Sequence, residues 1–234
     1  MVLRVKPFLG EIEAFCFRAG VLEKCKERVA TEYEFELIVN GARIGFFSCS
    51  PTLLEEFAVG HLLSTGHRVR DGYEFRASDG RVEIHGELVK IDSAGRNGSQ
   101  AFRAKDILRA VQALGDLGVG FRETGALHGA LCFDPEGRIL GHVEDVSRHC
   151  AVDKCLGLLA RNGVDLSRVG LAVTCRLTKS IVEKAVRVGV PLVASRAAPT
   201  LEGIKAAVDA GLTVVGFVRK DRFNVYAHPE RLIW

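Results

Sequence analysis

Long apolar runs and a strong charge of either sign are both missing from this chain of 234 residues. No run approaches the roughly 18 apolar residues that a membrane-spanning helix needs, so we expect no membrane segment. Residues 1–8 contain no apolar stretch of signal-peptide length, which favours a cytoplasmic protein. The formal net charge of +3 is too small to predict a nucleic-acid partner.

Cysteine motifs with a known chemical use are also missing. The seven cysteines are an odd number and lack the spacing of a disulfide framework. We expect most of them to be buried apolar side chains in a reducing compartment. The zinc ligands of deaminases are incomplete, because Ala130 stands two residues after His128 and no Pro-Cys-x-x-Cys occurs. We therefore predict no metal site.

Residues 1–100 form a predicted strand-rich part with one helix. Apolar alternation and turn residues predict strands over residues 33–39, 42–48, 81–85 and 87–91. Asn40-Gly41 is a two-residue hairpin turn for the first pair, and Gly86 would turn the second pair. Ser50-Pro51 predicts a helix start with proline at the first helical position. The polar loop at 92–100 marks the predicted domain boundary.

Residues 101–234 form the second predicted part, in which helices and strands alternate. We predict helices over residues 104–117, 148–160, 179–188 and 200–210, and strands over 170–174, 191–194 and 212–218. Such alternation is typical of an α/β fold, in which helices cover both faces of a sheet with parallel strands.

The stretch 121–154, FRETGALHGALCFDPEGRILGHVEDVSRHCAVDK, is rich in side chains that carry chemistry. Asp134-Pro135-Glu136-Gly137 joins two apolar runs, which predicts a hairpin. The polar side chains around this hairpin are Thr124, His128, Glu144, Asp145, Arg148, His149, Asp153 and Lys154. The hairpin either walls a binding site or is a solvated hairpin before a well-capped helix, because structural ion pairs also cluster charges.

His149 and Asp153 are four residues apart and would share a helix face. The carboxylate would then orient the imidazole or raise its pKa. The alternative is a helix-terminal pair with a capping role, in which Asp145 is the N-cap.

Two loops, at 174–180 and 195–200, each connect a predicted strand to a predicted helix. Ligands of open α/β sheets bind at the carboxyl ends of strands, where helix N-termini attract anions. Arginine can hold a phosphate there with two parallel hydrogen bonds. The cations in these loops are Arg176, Lys179 and Arg196. Alternatively, Ser195 and Thr200 only cap helices and the cations only face solvent.

The last predicted strand leads into a third candidate segment. It consists of Phe217, Val218, Arg219, Lys220, Asp221 and Arg222. Because this segment emerges at a strand end, it is placed for ligand contact, unless it is only a solvated turn.

Long motifs follow one another in a fixed order along the chain. They are Thr124-Gly125-x-x-His128, Glu144-Asp145-Val146-x-Arg148-His149-x-Ala151-Val152-Asp153-Lys154, Ser195-Arg196-Ala197-Ala198-Pro199-Thr200 and Gly216-Phe217-x-Arg219-x-x-Arg222-x-Asn224-Val225-Tyr226. Together they resemble the formate dehydrogenase accessory sulfurtransferase family, called FdhD or NarQ. The resemblance extends to residues 39–41 and 56–63, so it covers most of the chain.

This resemblance implies a cytidine deaminase-like three-layer α/β/α fold for residues 101–234. It implies that the protein takes sulfur from a cysteine desulfurase and transfers it to molybdopterin guanine dinucleotide. The client would be formate dehydrogenase or a related molybdenum or tungsten oxidoreductase. The resemblance also implies a homodimer. GDP-like nucleotides should bind in place of the cofactor. The resemblance implies that the segment 217–222 binds this cofactor. Together with it, we predict that the cofactor is bound by Thr124, His128, Arg148, His149, Arg176, Ser195 and Arg196.

One loop departs from the family pattern. The sulfur-carrying Cys-x-x-Cys of the family falls on Gly95 and Gly98, and residues 92–100 contain no cysteine. Glycine cannot form the thiolate that a persulfide relay needs. Cys175, on a strand-to-helix loop beside Arg176, is the first candidate for another reactive thiol. The alternatives are a cofactor-binding module without sulfur transfer and, more remotely, a deaminase-like hydrolase.

Overall fold

The computed structural model describes residues 3–4, 9–91 and 100–234. Its helices are α1 (Leu54–Ser64), α2 (Ala104–Leu117), α3 (Val119–Thr124), α4 (Arg148–Arg161), α5 (Lys179–Arg187) and α6 (Leu201–Ala210). Its strands are β1 (Leu3–Arg4), β2 (Leu9–Arg18), β3 (Val21–Ala30), β4 (Tyr33–Val39), β5 (Ala42–Cys49), β6 (His67–Val69), β7 (Glu74–Ser78), β8 (Arg81–His85), β9 (Leu88–Lys90), β10 (Phe102–Arg103), β11 (His128–Phe133), β12 (Ile139–Asp145), β13 (Gly170–Val173), β14 (Leu192–Ser195), β15 (Thr213–Gly216), β16 (Asn224–Ala227) and β17 (Leu232–Ile233). In these described ranges, no helix is long and apolar enough to cross a membrane.

A mixed sheet in the order β1-β12-β11-β13-β14-β15-β16 forms the centre of the larger part. β13, β14 and β15 are parallel neighbours, whereas β11 is antiparallel to both β12 and β13. β12 therefore runs in the same direction as β13. The last residues of β12, β13, β14 and β15, which are Asp145, Val173, Ser195 and Gly216, consequently meet at one edge together with His128, the first residue of β11. We call this the strand-end edge.

Helices cover both faces of this sheet. α4, α5 and α6 pack on one face, where Leu156, Ile181 and Ala207 belong to one hydrophobic core. α2 packs on the opposite face, where Ile107 and Leu114 belong to a second core. The predicted α/β fold is thereby confirmed, whereas the particular likeness to cytidine deaminases stays a prediction.

The smaller part contains a second sheet, in the order β5-β4-β8-β7, and the helix α1. α1 crosses α4 at two glycines that leave no room for a side chain. A Cβ atom on Gly60 would lie 1.8 Å from the carbonyl oxygen of Asp153, and one on Gly157 would lie 1.9 Å from that of Glu56. The two helix backbones are thus in direct contact, and the smaller part shares a core with the larger one.

Several predicted elements are confirmed almost to the residue. They include β4, α2, the β11–β12 hairpin, and the alternation from α4 through β15. Asn40 and Gly41 have φ angles of 50° and 79°, as a two-residue hairpin turn requires. Gly137 has a φ of 78° in the turn between β11 and β12. These elements depend on local patterns, which the sequence displays directly.

The predicted helix start at Ser50-Pro51 is wrong, because α1 begins at Leu54. The backbone N–H of Ser50 donates to Oδ2 of Asp145 at 3.2 Å, and its carbonyl accepts from Nζ of Lys154 at 2.7 Å. These tertiary contacts hold Ser50 out of the helix.

The predicted hairpin around Gly86 is also wrong. β8 pairs with β7 and β4, while β9 pairs with β6. The side-chain amide of Asn40 binds both backbone groups of Gly86, accepting from N–H and donating to the carbonyl at 2.9 Å each. This double contact holds Gly86 beside the turn after β4, so the chain leaves the sheet there instead of pairing with β8.

The expectation that the cysteines form no disulfide is wrong for one pair. Cys16 and Cys25 are joined across the hairpin of β2 and β3, a region for which the sequence predicted no elements. The other cysteines are free and buried, as expected: Cys49, Cys132, Cys150, Cys155 and Cys175.

Candidate functional site

The loops that leave β13 and β14 are joined to each other at the strand-end edge. The N–H of Leu177 donates to the carbonyl of Ala198, and the N–H of Thr200 donates to the carbonyl of Leu177, both at 3.1 Å. The hydroxyl of Ser195 donates to the carbonyl of Cys175 at 2.7 Å and accepts from the N–H of Ala197 at 2.9 Å. Ser195 is fully buried, so its hydroxyl fixes the two loops from within.

α4 also begins at this edge, directly after β12. Its N-cap is Ser147, whose hydroxyl accepts from the N–H of Cys150 at 3.4 Å. The prediction that Asp145 is the N-cap is therefore wrong. Asp145 instead accepts from the N–H of Ser147 at 2.8 Å and pairs with Lys154.

α5 and α6 start side by side but are capped differently. The hydroxyl of Thr200 accepts from the N–H of Gly203 at 3.2 Å, which confirms its alternative assignment as a helix cap. The hydroxyl of Thr178 makes no such bond and lies 3.1 Å from Oγ of Ser180. The first turn of α5 thus lacks a side-chain cap, and uncapped N–H groups at a helix start favour an anion.

Exposed cations line the same edge. They are Arg148, Arg176, Arg196, Arg219, Lys220 and Arg222. Within residues 3–4, 9–91 and 100–234, none of them forms an ion pair, whereas Lys179 lies 3.8 Å from Glu183. Their positive charge is therefore available to a ligand.

The segment 217–222 is tied to the loop after β14. The N–H of Phe217 donates to the carbonyl of Ala197 at 3.1 Å, and Nη1 of Arg219 donates to that of Arg196 at 2.6 Å. The N–H of Arg219 donates to the carbonyl of Arg222 at 2.8 Å, which closes a tight turn. The side chains of Lys220, Asp221 and Arg222 are exposed, whereas that of Val218 is buried in the second core.

Phe217 has a left-handed backbone with a φ of 52°, although its side chain is 42% exposed. A bulky residue in this region is strained, and such strain is concentrated at binding sites. The strained residue stands directly after β15, where the chain turns into the cation-bearing segment.

The two predicted histidines are half-buried at this edge. Nδ1 of His128 lies 3.4 Å from Oγ1 of Thr174, on the first loop. Burial and the charge of Arg148 lower the pKa of His128, and Asp145 offsets part of that effect. Burial and the charges of Lys184 and Arg148 likewise lower the pKa of His149. Asp153 raises this pKa, as predicted, but its effect is outweighed, so the predicted net rise is wrong.

The acidic residues of the 121–154 stretch have structural partners. Glu144 accepts from the N–H groups of Gly120 and Phe121 at 2.8 Å each, and so holds the start of α3. Thr124, at the other end of α3, donates its hydroxyl to the carbonyl of Gly120 at 2.8 Å.

Asp153 joins three helices. Its carboxylate accepts from Nζ of Lys184 at 2.6 Å and from Oγ of Ser64 at 2.7 Å, and lies 3.3 Å from Nδ1 of His61. The sequence predicted a partner for Asp153 on its own helix. It missed Ser64, His61 and Lys184, because they are distant in sequence and no local pattern links them.

Cys175 lies on the loop after β13 and is only 6% exposed. Burial raises the pKa of its thiol to about 11, against the opposing charges of Arg148 and Arg176. The expectation of an exposed sulfur in an activating environment is wrong, and its role as a sulfur acceptor stays a prediction. Gly95 and Gly98, which stand at the positions of the family's cysteine pair, lie outside the described residues.

A cleft of about 920 Å³ lies elsewhere, at the C-terminal ends of α4 and α5. Three of the four arginines that line it are held by acids: Arg161 pairs with Glu55 and Glu56, Arg70 with Glu87, and Arg187 lies 3.9 Å from Glu183. The strand-end edge is the better candidate for anions, because its cations are unpaired in the described part of the chain.

The protein is therefore an α/β protein with a candidate anion site at the ends of its strands. Helix starts and unpaired cations meet there. The chain belongs to the FdhD/NarQ family, whose model matches residues 76–233. It is 38% identical over 231 residues to the sulfur carrier protein FdhD of Methanothermobacter thermautotrophicus, covering 88% of this chain and 92% of that protein. It is 31% identical over 239 residues to that of Sulfolobus acidocaldarius, covering 91% and 94%.

A crystal structure from Desulfotalea psychrophila, described as a formate dehydrogenase accessory protein, has the same fold. It superposes with a TM-score of 0.85 at 27% identity and covers 97% of this chain and 100% of that one. The family resemblance seen in the motifs is thus confirmed over nearly the whole chain.

Proposed function

We propose that this protein is a sulfur-carrying accessory protein for formate dehydrogenase that binds molybdopterin guanine dinucleotide as cargo at the strand-end edge. Family membership and the names of its relatives support the accessory role. The single observation that carries the binding site is the row of exposed, unpaired cations beside the uncapped start of α5. Arginines and helix N-termini are the groups that proteins use to hold phosphates.

Each part of the edge has a role in this proposal. Arg176, Arg196, Arg219 and Arg222 hold the phosphates of the cofactor. His128, His149 and Thr124 contact the cofactor on the β11 side of the strand-end edge, and Arg148 contacts it from the start of α4. Ser195 and Val218 act indirectly, since their buried side chains fix the loops that carry the arginines.

The sulfur would come from a cysteine desulfurase and would be transferred to the bound cofactor. The client of the cofactor would be a molybdenum or tungsten oxidoreductase. We expect the carrier to act in the cytoplasm as a homodimer. A second candidate function is a cofactor-binding module without sulfur transfer. It is favoured by the burial of the five free cysteines and by glycine at residues 95 and 98.

Purification from a host that makes molybdopterin guanine dinucleotide tests the binding role. We expect the wild-type protein to retain the cofactor, detected in the extract by mass spectrometry through its guanine nucleotide. The variant Arg219→Ala/Arg222→Ala should lose it, while Arg109→Ala, an exposed change on α2, should keep it. A folded wild-type protein that carries no cofactor from such a host would contradict the proposal.

A further inference from the structure

The hairpin of β2 and β3 holds cysteines that are neither buried in a core nor part of the strand-end edge. Cys16 and Cys25 are half-buried, whereas each of the other five cysteines is at most 6% exposed. Side chains on the same face of the hairpin as Cys16 are open to solvent, since Ile12 is 50% exposed and the side chain of Arg18 is 69% exposed. A partner protein could therefore reach the two sulfurs without opening the fold.

The surroundings of Cys16 suit thiol chemistry. Nη2 of Arg18 lies 4.0 Å from its Sγ, and Oε1 of Glu27 lies 3.3 Å from the same atom. Once the disulfide is reduced, the guanidinium of Arg18 favours a thiolate at Cys16, whereas the carboxylate of Glu27 opposes it unless Arg18 neutralises that charge. Arg18 and Glu27 also lie 3.8 Å apart, so the two groups are held together around the sulfur.

The hairpin is anchored beside the candidate site. Nη1 of Arg28 lies 2.8 Å from Oε2 of Glu123, on α3. α3 ends at Thr124 and is fixed at its start by Glu144, one residue before the end of β12. Cys25 is three residues from Arg28, which is about 10 Å along a strand. A sulfur on the hairpin would therefore lie close to the side of the strand-end edge.

We propose that Cys16 and Cys25 form the sulfur-accepting site of this protein, in place of the cysteine pair that is missing from the sequence of residues 92–99. The inference rests on the proposed function, because it supplies the thiols that a sulfur carrier needs. Cys16 is the acceptor and Cys25 is the resolving thiol.

Sulfur uptake and release by Cys16 and Cys25 take three steps. A dithiol reductant first gives two electrons and two protons to the disulfide, which yields two thiols and the oxidised reductant. The Cys16 thiolate then attacks the terminal sulfur of a donor persulfide, forming a new S–S bond, and the donor leaves as a thiolate. Finally, the Cys25 thiolate attacks Sγ of Cys16, re-forming the disulfide and releasing hydrosulfide.

The test uses the full chain, reduced with a dithiol, desalted, and incubated with glutathione persulfide. Peptide mapping by mass spectrometry should find the added sulfur on Cys16. The variant Cys25→Ser should retain that sulfur longer than wild type, because the resolving step is removed. Cys16→Ser should load nothing, and unreduced wild type should load nothing. Cys175→Ser is the matched control and should load as wild type does.

Loading of Cys16→Ser to the wild-type level, or mapping of the sulfur to Cys175, would overturn the proposal while leaving sulfur carriage intact. If Cys25→Ser takes up no sulfur and reduced wild type releases no hydrosulfide, both this assignment and the sulfur-carrier function fail. The cofactor-retention experiment would then decide whether the binding role stands alone. Unfolding by urea checks that each variant is folded, and the exposed hairpin should tolerate serine.

Discussion

Nζ of Lys154 lies 2.5 Å from Oδ2 of Asp145, and both side chains are completely buried. The same two groups bind the carbonyl and the N–H of Ser50. This cluster joins the end of β12, the first turns of α4 and the loop before α1. It therefore fixes one side of the strand-end edge to the smaller part of the protein.

Removal of one member of this pair should be strongly destabilising. Lys154→Met leaves the Asp145 carboxylate buried without its counter-ion, and breaking such a pair costs about 3–5 kcal/mol. The free energy of unfolding, measured with urea, should fall by that amount. The control is Lys179→Met, which breaks an exposed contact with Glu183 and should cost at most about 1 kcal/mol. Equal effects of the two changes would contradict the assignment.

The Asp153 cluster should make stability depend on acid. Burial alone would raise the pKa of Asp153, but His61 and Lys184 outweigh it and hold that pKa below its ordinary value. An acid with a depressed folded pKa stabilises the protein above its unfolded pKa, about 3.9. That stability is lost as the pH falls through the folded pKa.

Urea unfolding at a series of pH values below about 4 measures this loss. Asp153→Asn should be less stable than wild type at neutral pH and should show a flatter pH dependence in acid. Parallel curves for the two proteins would contradict the role of Asp153.

The contact between α1 and α4 should not tolerate a methyl group. Gly60→Ala would place Cβ 1.8 Å from a backbone oxygen, which the two helices can relieve only by moving apart. Overpacking costs about 1–3 kcal/mol and sometimes more, and we expect the upper end. Gly115→Ala on α2 is the control, because its Cβ meets only the flexible end of Arg196 at 3.3 Å. Calorimetric melting should separate the two variants.

Cys175 should react slowly in the native protein. Because burial raises the pKa of its thiol to about 11, little thiolate forms near neutral pH. In dithiol-reduced protein, alkylation followed by mass spectrometry should label Cys16 and Cys25 well before Cys175. Labelling of Cys175 at the same rate as Cys16 would show that its loop opens readily.

The sequence predicted the elements that local patterns define and missed those that distant contacts define. β4 and α2 follow from apolar periodicity and from turn residues next to them. The start of α1 does not, because Ser50 is held by Asp145, a residue 95 positions away. The β2–β3 hairpin was missed because most of its side chains are exposed, so it lacks the alternation that indicates a half-buried strand.

The same distinction applies to the site. Cations at strand ends could be predicted, because the sequence shows which loops follow an apolar strand. The burial of Cys175 and Ser195 could not, because it depends on how the loops after β13 and β14 join each other. The acids near Arg148 suggested a charged wall, whereas the structure uses them to hold α1, α3 and α5.

Calorimetric titration with GDP tests the central claim most directly, which is that the strand-end edge binds the guanine nucleotide of the cofactor. We expect GDP to bind more tightly than ADP or CDP. Arg219→Ala/Arg222→Ala should weaken GDP binding by about tenfold or more, because hydrogen bonds to charged groups contribute about 1.5–3 kcal/mol each. If this variant stays folded and keeps wild-type affinity, the phosphates lie elsewhere on the edge, at Arg176, Lys179 and Arg196. Absence of any GDP binding at millimolar concentration would contradict the account.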